Sequence, residues 1–267
     1  MSQPSFPHGK LGDPMWAPAP CVCHSDATAR PKYSTMTASE YVETPQVLAA
    51  KVDLLVQLLS TPGTRTVLYT GAGLSTAAGV PDYASKARGS VVTTSDNMNR
   101  LQIPPTYSHR VLASLERSGY IHGWLQQNHD GLAQKAGFPM RKLNEIHGSW
   151  FDRNNPVVMM DGTLRKDLMD RMVQWTKEAD LCIAMGTSLC GMTADCVAES
   201  SAARMGPGLV IINLQETPMD QDAALRIFAR CDDVWRMVAK KMKLKIDTQT
   251  YSAYATPVRR RASSMAT

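Results

Sequence analysis

Four clusters of small or polar residues each follow an apolar run in this 267-residue chain: Gly71-Ala72-Gly73, Gln127-Asn128-His129-Asp130-Gly131, Gly186-Thr187-Ser188, and Asn213. In the first, no side chain is large enough to hold a phosphate away from the backbone. Glycine permits that close approach, and a helix starting at Leu74 would aim unpaired N–H groups and a positive dipole end at the anion. The other clusters supply amide, hydroxyl and carboxylate groups that can orient a polar ligand. The preceding runs, Thr66–Thr70, Ile121–Gln126, Ala179–Met185 and Gly208–Ile212, read as buried strands. Alternating with helical segments, they predict an α/β fold, a Rossmann-like doubly wound parallel sheet whose ligand lies beyond the strands' C-terminal ends. The clusters are therefore expected to share one crevice that accepts a dinucleotide.

The glycine pattern departs from that of hydride-transferring enzymes. The third glycine of the usual fingerprint would fall at Thr76, the next is Gly79, and no acidic residue closes the second strand to hold a ribose. A variant of the dinucleotide fold is expected, with chemistry other than hydride transfer.

The elements that must position these clusters are legible in part. Val47, Leu48, Val52, Leu55, Val56 and Leu59 recur at helical spacing behind Thr44-Pro45, and Pro62-Gly63 ends that helix. Residues 84–102 read as a long mobile loop beside the crevice. A helix follows Thr106, and Gln221–Met242 reads as helical in two pieces around Cys231. Residues 1–44 carry six prolines and no sustained period and are expected to be disordered. Within them, Cys21-Val22-Cys23-His24 lacks a second ligand pair at finger spacing, so no metal site is expected.

Composition narrows the class. A hydrophobic content of 43% supports a sizeable core, no run reaches the length of a membrane span, and the first thirty residues lack a secretory apolar block. The six cysteines show no framework spacing. A soluble protein of a reducing, intracellular compartment is expected, with cytoplasm and nucleus both open. Of the net charge of +5, the residues from Arg236 onward account for +7 and the rest for −2. With no interleaved aromatics the basic end reads as a solvated tail (247–267), and nucleic acid is not expected as a direct substrate. Arg259-Arg260-Arg261-Ala262-Ser263 is similar to a basophilic kinase site.

Taken in order, Gly71-Ala72-Gly73-Leu74-Ser75 through Gly79-Val80-Pro81-Asp82, Gln127-Asn128-x-Asp130-Gly131-Leu132, His147-Gly148-Ser149, Gly186-Thr187-Ser188-Leu189 and Val210-Ile211-Ile212-Asn213 resemble the sirtuins, the NAD-dependent protein lysine deacylases. The resemblance covers about three quarters of the chain and implies a catalytic NAD-binding domain over 45–246. It implies that Gly71, Ala72, Gly73 and Ser75 contact the phosphates and ribose, with Asp82 and Tyr83 following on the nicotinamide side. Gln127, Asn128 and Asp130 would surround the nicotinamide ribose and carboxamide, and Gly186, Thr187, Ser188, Asn213 and Cys231 the adenosine half. His147, Asn128 and Asp130 are the implied catalytic residues, with His147 as general base. In the implied reaction the oxygen of an acyl-lysine attacks the anomeric carbon as nicotinamide leaves, and His147 then activates a ribose hydroxyl that takes over the acyl group. His109 and His122 lack such surroundings and read as structural residues.

The chain also departs from the family pattern. The two Cys-x-x-Cys pairs expected after the histidine are missing, since only Phe151–Asn155 separates Trp150 from Pro156. The zinc module is thus expected to be reduced or missing. Tyr83-Ala84 stands where a phenylalanine-arginine pair is expected, which leaves Lys86 or Arg88 to supply the charge. His129 replaces an aliphatic residue, and Val157–Gly162 only partly matches the peptide-pairing segment. An NAD-dependent lysine deacylase acting on an acylated protein or peptide is the leading reading. The alternatives are NAD hydrolysis or ADP-ribose transfer, and a non-catalytic NAD-sensing module.

Overall fold

A computed structural model describes residues 7–30, 32–33, 35–86, 88–95, 99–158 and 162–252. Its strands are β1 (Cys21–Cys23), β2 (Glu40–Tyr41), β3 (Thr66–Thr70), β4 (Gly123–Gln126), β5 (Leu143–Glu145), β6 (Leu181–Met185), β7 (Gly208–Ile212) and β8 (Leu225–Ile227). The α-helices are α1 (Pro45–Ser60), α2 (Tyr107–Arg117), α3 (Leu132–Lys135), α4 (Lys166–Glu178), α5 (Cys196–Ala203) and α6 (Cys231–Lys241). Six parallel strands form one sheet in the order β5-β4-β3-β6-β7-β8, with the strand before the glycine turn near its centre. This is the Rossmann-like doubly wound arrangement.

Both faces of the sheet are covered, as near-continuous apolar strands require. Leu68, Ile183 and Val210 pack with α1, α2 and α6, while their neighbours Val67, Tyr69, Cys182, Ala184 and Leu209 pack with α4 and α5. The alternation follows the two-residue repeat of a strand. Helix α1 starts where Thr44 accepts the Val47 N–H, with Pro45 at the first turn, where a missing N–H costs nothing.

Two strands escape the apolar-run criterion. β5 and β8 are three residues long and contain Asn144, Glu145 and Arg226, all buried. Each side chain has a partner outside its own strand: Asn144 donates to the Leu168 carbonyl (2.8 Å), Gln126 donates to Glu145 (3.1 Å), and Arg226 donates to Asp220 (2.8 Å). The expected first helical piece within 221–242 is replaced by a single 3-10 turn (Asp220–Asp222) and β8. The second piece is α6.

The expected disorder of residues 1–44 is corrected by tertiary pairing that no local period reveals. Backbone bonds join Lys10 to Ala223, Leu11 to Ala224 and Arg226 to His8, so residues 8–11 run along the outer edge of β8. β1 and β2 pair antiparallel, and Glu43 N–H donates to Phe228 O (2.8 Å). Behind this arm the fully buried Lys51 pairs with Glu43 and donates to Arg226 O (2.7 Å). Residues 1–6 lie outside the described residues.

The predicted mobile loop and basic tail are likewise tethered where they are described. Glu40 accepts from Ser90 Oγ (2.6 Å) and Val91 N–H (2.7 Å), and Lys135 donates to the carbonyls of Arg100, Leu101 and Ile103. Arg110 donates to the carbonyls of Asp247 and Gln249, and Tyr251 N–H reaches Lys135 O (2.9 Å). The Arg259–Ser263 motif lies outside the described residues. All six cysteines are free thiols. Among the described residues no helix is long and apolar enough to cross a membrane.

Candidate active site

The glycine turn does not open an α-helix. Two 3-10 turns, Ala72–Leu74 and Thr76–Ala78, follow β3 and end at Gly79 in the left-handed region (φ +87°). The dipole of a long helix is therefore not available here, and the glycines answer to a second demand. A Cβ on Gly71 would lie 2.6 Å from Gly186 O, one on Gly73 2.7 Å from Gly186 Cα, and one on Gly186 2.3 Å from Leu74 N. Gly73 N–H also donates to Gly186 O (3.0 Å). The loops after β3 and β6 touch backbone to backbone at the floor of the crevice.

The cluster after β4 is fastened to that floor. Asn128 Nδ2 donates to Gly71 O (2.9 Å) and to Ser75 Oγ (3.1 Å), and Ser75 Oγ donates to Asp130 (2.6 Å). The second Asp130 oxygen accepts Leu132 N–H (3.0 Å). Gln127 donates to Thr187 Oγ1 (2.8 Å) and to Tyr69 Oη (2.6 Å), whose own proton goes to Asp195 (2.7 Å). Burial and the adjacent Asp195 push the Tyr69 phenol well above its ordinary value, so it stays a neutral donor.

His147 sits just beyond the end of β5, half-buried. Its turn is closed by Gly148 N–H to Glu145 O, Ser149 N–H to Asn155 O, and Val158 N–H to His147 O, each 2.9 Å. Burial lowers the His147 pKa to about 4, helped by the charges of His129 and Arg30 and opposed by a hydrogen bond to the Gln127 backbone. At neutral pH the ring is thus unprotonated and able to accept a proton.

These residues line two adjoining cavities. The larger, about 620 Å³, is bounded by Gly71, Ala72, Asp82, Tyr83, Gln127, Asn128, His129, Asp130, His147, Thr187 and Ser188, among others. The smaller, about 320 Å³, is bounded by Gly73, Thr76 and Cys231 among others, and Asp82, Gly186, Asn213 and Gln215 belong to both. Of the residues expected in the site, Ser75 lines neither; it is fully buried behind Asn128 and Asp130 and holds both. Burial and nearby Asp232 raise the Cys231 thiol to about 12, so it serves as wall and not as nucleophile. His109 is buried against Thr106 (2.7 Å) with its pKa lowered to about 4 by burial, and His122 meets Glu178 (3.1 Å) at the surface; both are structural.

The cation of the larger cavity comes from an unexpected place. Ala84 is buried, Arg88 is exposed, and the side chain of Lys86 lies outside the described residues. Arg30, on the N-terminal arm, lines the cavity instead. Its guanidinium lies 6.0 Å from the Tyr83 ring and 3.5 Å from Cys190 Sγ. Sequence reasoning missed it because its segment has no period of its own. Tyr69 and Gln215 were also missed, Tyr69 because it reads only as a strand residue. Removing the Arg30 charge should make imidazolium easier to form at His147. Arg30→Ala is expected to raise that pKa and move the acid limb of the kcat/KM profile to higher pH; a limb that stays in place would separate Arg30 from the base.

The segment from His147 to Val158 closes directly on itself, and among the described residues no group of three or more His, Cys, Asp or Glu side chains is placed to hold a metal. Met159, Met160 and Asp161, in the expected peptide-pairing segment, lie outside the described residues.

A six-stranded parallel sheet covered on both faces, with its crevice beyond the strand ends, defines the class as a doubly wound α/β protein. The Sir2 family model matches residues 90–155. NAD-dependent protein deacetylase SRT1 of Arabidopsis thaliana is 28% identical over 250 residues, covering 78% of this chain and 52% of that protein. Human NAD-dependent protein deacetylase sirtuin-7 is 26% identical over 272 residues, covering 82% and 66% respectively. The chain thus spans about half to two thirds of the length of these relatives. A solved Sir2 complex with a p53 peptide and NAD+ matches with a TM-score of 0.60 and 26% identity, over 71% of this chain and 97% of that one. The chain is thus similar to the Sir2 family, the sirtuins, in one segment of its sequence and in its fold.

Proposed function

We propose that this protein is an NAD-dependent protein lysine deacylase, consuming NAD as co-substrate and transferring the acyl group of an acyl-lysine to ADP-ribose. The observation that carries this reading is the convergence of Asn128, Asp130 and an unprotonated His147 on one cavity whose floor is the glycine turn. Two compartments joined at Gly186 suit a ligand made of two nucleotides joined by a pyrophosphate. NAD supplies a glycosidic bond to nicotinamide that breaks readily when the ring departs.

The residues divide the remaining work. The crevice floor at Gly71, Ala72 and Gly73 admits the phosphates, with Ser75 bracing it from behind. Asn213, Gly186, Thr187, Ser188 and Cys231 bound the adenosine side, with Arg226 fixing the carbonyls of Asn213 and Gln215 (3.0 and 2.6 Å). Asp82 stands where the compartments join, and Tyr83, 63% exposed, is free to cover the nicotinamide ribose. Asp130 keeps lone pairs on both oxygens after its two internal bonds, enough to accept a carboxamide N–H. His147 takes the proton of a ribose hydroxyl at an imidazole nitrogen, a general-base step worth about 10²–10⁴ in rate. The acyl-lysine enters along Val157 and Val158 toward Met192, an apolar approach that suits an uncharged amide.

Mass spectrometry of a reaction containing NAD and an acetyl-lysine peptide tests the proposal. The expected products are nicotinamide, unmodified peptide and acylated ADP-ribose. Free ADP-ribose beside intact peptide would replace this reading with NAD hydrolysis.

A further inference from the structure

His129 lines the larger cavity, yet the proposed reaction gives it no task. Its carbonyl accepts the Trp150 N–H at 2.9 Å, and its ring Nδ1 lies 3.0 Å from Gly148 O. A carbonyl oxygen can only accept, so Nδ1 carries the proton and, in the neutral ring, Nε2 carries the lone pair. The two bonds bracket the residues that immediately follow His147. The three backbone bonds that close this turn stay within residues 145–158, whereas the pair from His129, beside the bond of His147 to the Gln127 backbone, tie it across to the end of β4. Gly148 is left-handed (φ +87°), and a Cβ there would meet Pro156 O at 2.1 Å, so the turn already has the returning chain hard against it. The His129 ring also approaches that of Trp150 (6.5 Å), over which Arg100 lies at 4.3 Å.

We propose that His129 is a positioning residue for the base: its backbone and Nδ1–H clamp the Gly148–Trp150 turn and fix where His147 points. The clamp joins the β4 and β5 ends of the cavity directly. This inference rests on the deacylase reading for its kinetic consequence and on geometry alone for the clamp. A base displaced by about 1 Å loses roughly 10²-fold in rate. His129→Leu is therefore expected to lower kcat about 10- to 100-fold while the KM for NAD stays within about threefold. His129→Asn places an amide donor near the Nδ1 position and should recover kcat to within about threefold of the native chain.

Nitrogen-15 NMR of the 267-residue chain labelled at histidine, with His129 assigned by its loss in His129→Asn, should show the Nδ1–H tautomer. An Nε2–H tautomer would overturn the clamp, whether or not His129→Leu folds. Native kcat in His129→Leu, or equal impairment in His129→Asn and His129→Leu, would overturn it as well. Absence of nicotinamide release by the native chain would instead count against the deacylase reading, while the tautomer measurement still decides the clamp.

Discussion

His147→Ala should abolish turnover while leaving NAD affinity within a few-fold. The expected loss in kcat is about 10²–10⁴, the contribution of a well-placed general base. The ring lines the cavity from beyond β5, while the contacts expected to hold the two nucleotides come from the loops after β3, β4, β6 and β7. Truncating His147 removes the proton acceptor and leaves those loops as they are. The ring's half-buried position also limits the structural damage, since its turn is held by backbone bonds that alanine retains. Nicotinamide release gives kcat, and calorimetry with NAD gives the affinity. Unchanged kcat would remove His147 from the mechanism, and a parallel loss of affinity would make it a binding residue.

Gly186→Ala should damage stability and NAD binding together. The new Cβ would lie 2.3 Å from Leu74 N and 2.5 Å from Gly73 C, with backbone on the far side that has no rotamer to change. Its φ of +59° adds about 1–2 kcal/mol of left-handed strain, and the forced shift adds about 1–3 kcal/mol more. The glycine turn must move off the loop after β6, which opens the floor of both cavities. Gly191→Ala is the control: its φ is +90° but nothing lies within 4 Å of its Cβ, so it carries strain without collision. Urea denaturation should place Gly186→Ala well below Gly191→Ala, with a raised KM for NAD in the former alone. Equal stability of the two variants would mean that the loops part at little cost.

The contrast between these glycines bears on what can be read from a sequence. Gly71-Ala72-Gly73 is legible as a turn that spares room for a phosphate, but its dependence on Gly186, 113 residues away, is a packing fact. The four long strands were legible because strands buried on both faces are apolar throughout. β5 and β8 were not, because Asn144, Glu145 and Arg226 are buried polar residues whose hydrogen-bond partners lie on other elements. The clusters after β3, β4, β6 and β7 line the cavities because a doubly wound sheet sends those strand ends to one side. Arg30 lay beyond such reasoning. Its arm holds no periodic face and gains its order from the edge of β8 and the walls of the cavity. His129 was visible as a departure from the family pattern, but its bond to Gly148 needed coordinates.

The replacement of the expected phenylalanine-arginine pair by Tyr83-Ala84 has a similar lesson. The charge at that wall is supplied in space by Arg30 and not in sequence by a neighbour. The N-terminal arm therefore belongs to the cavity, and a truncation that removes it should be expected to alter the site itself.

The central claim is that the cavity directs NAD at an acylated lysine. Nicotinamide release, measured with and without acyl-lysine peptides of several chain lengths, tests it most directly. Release that requires the peptide is the predicted result; release at the same rate in its absence would contradict the claim.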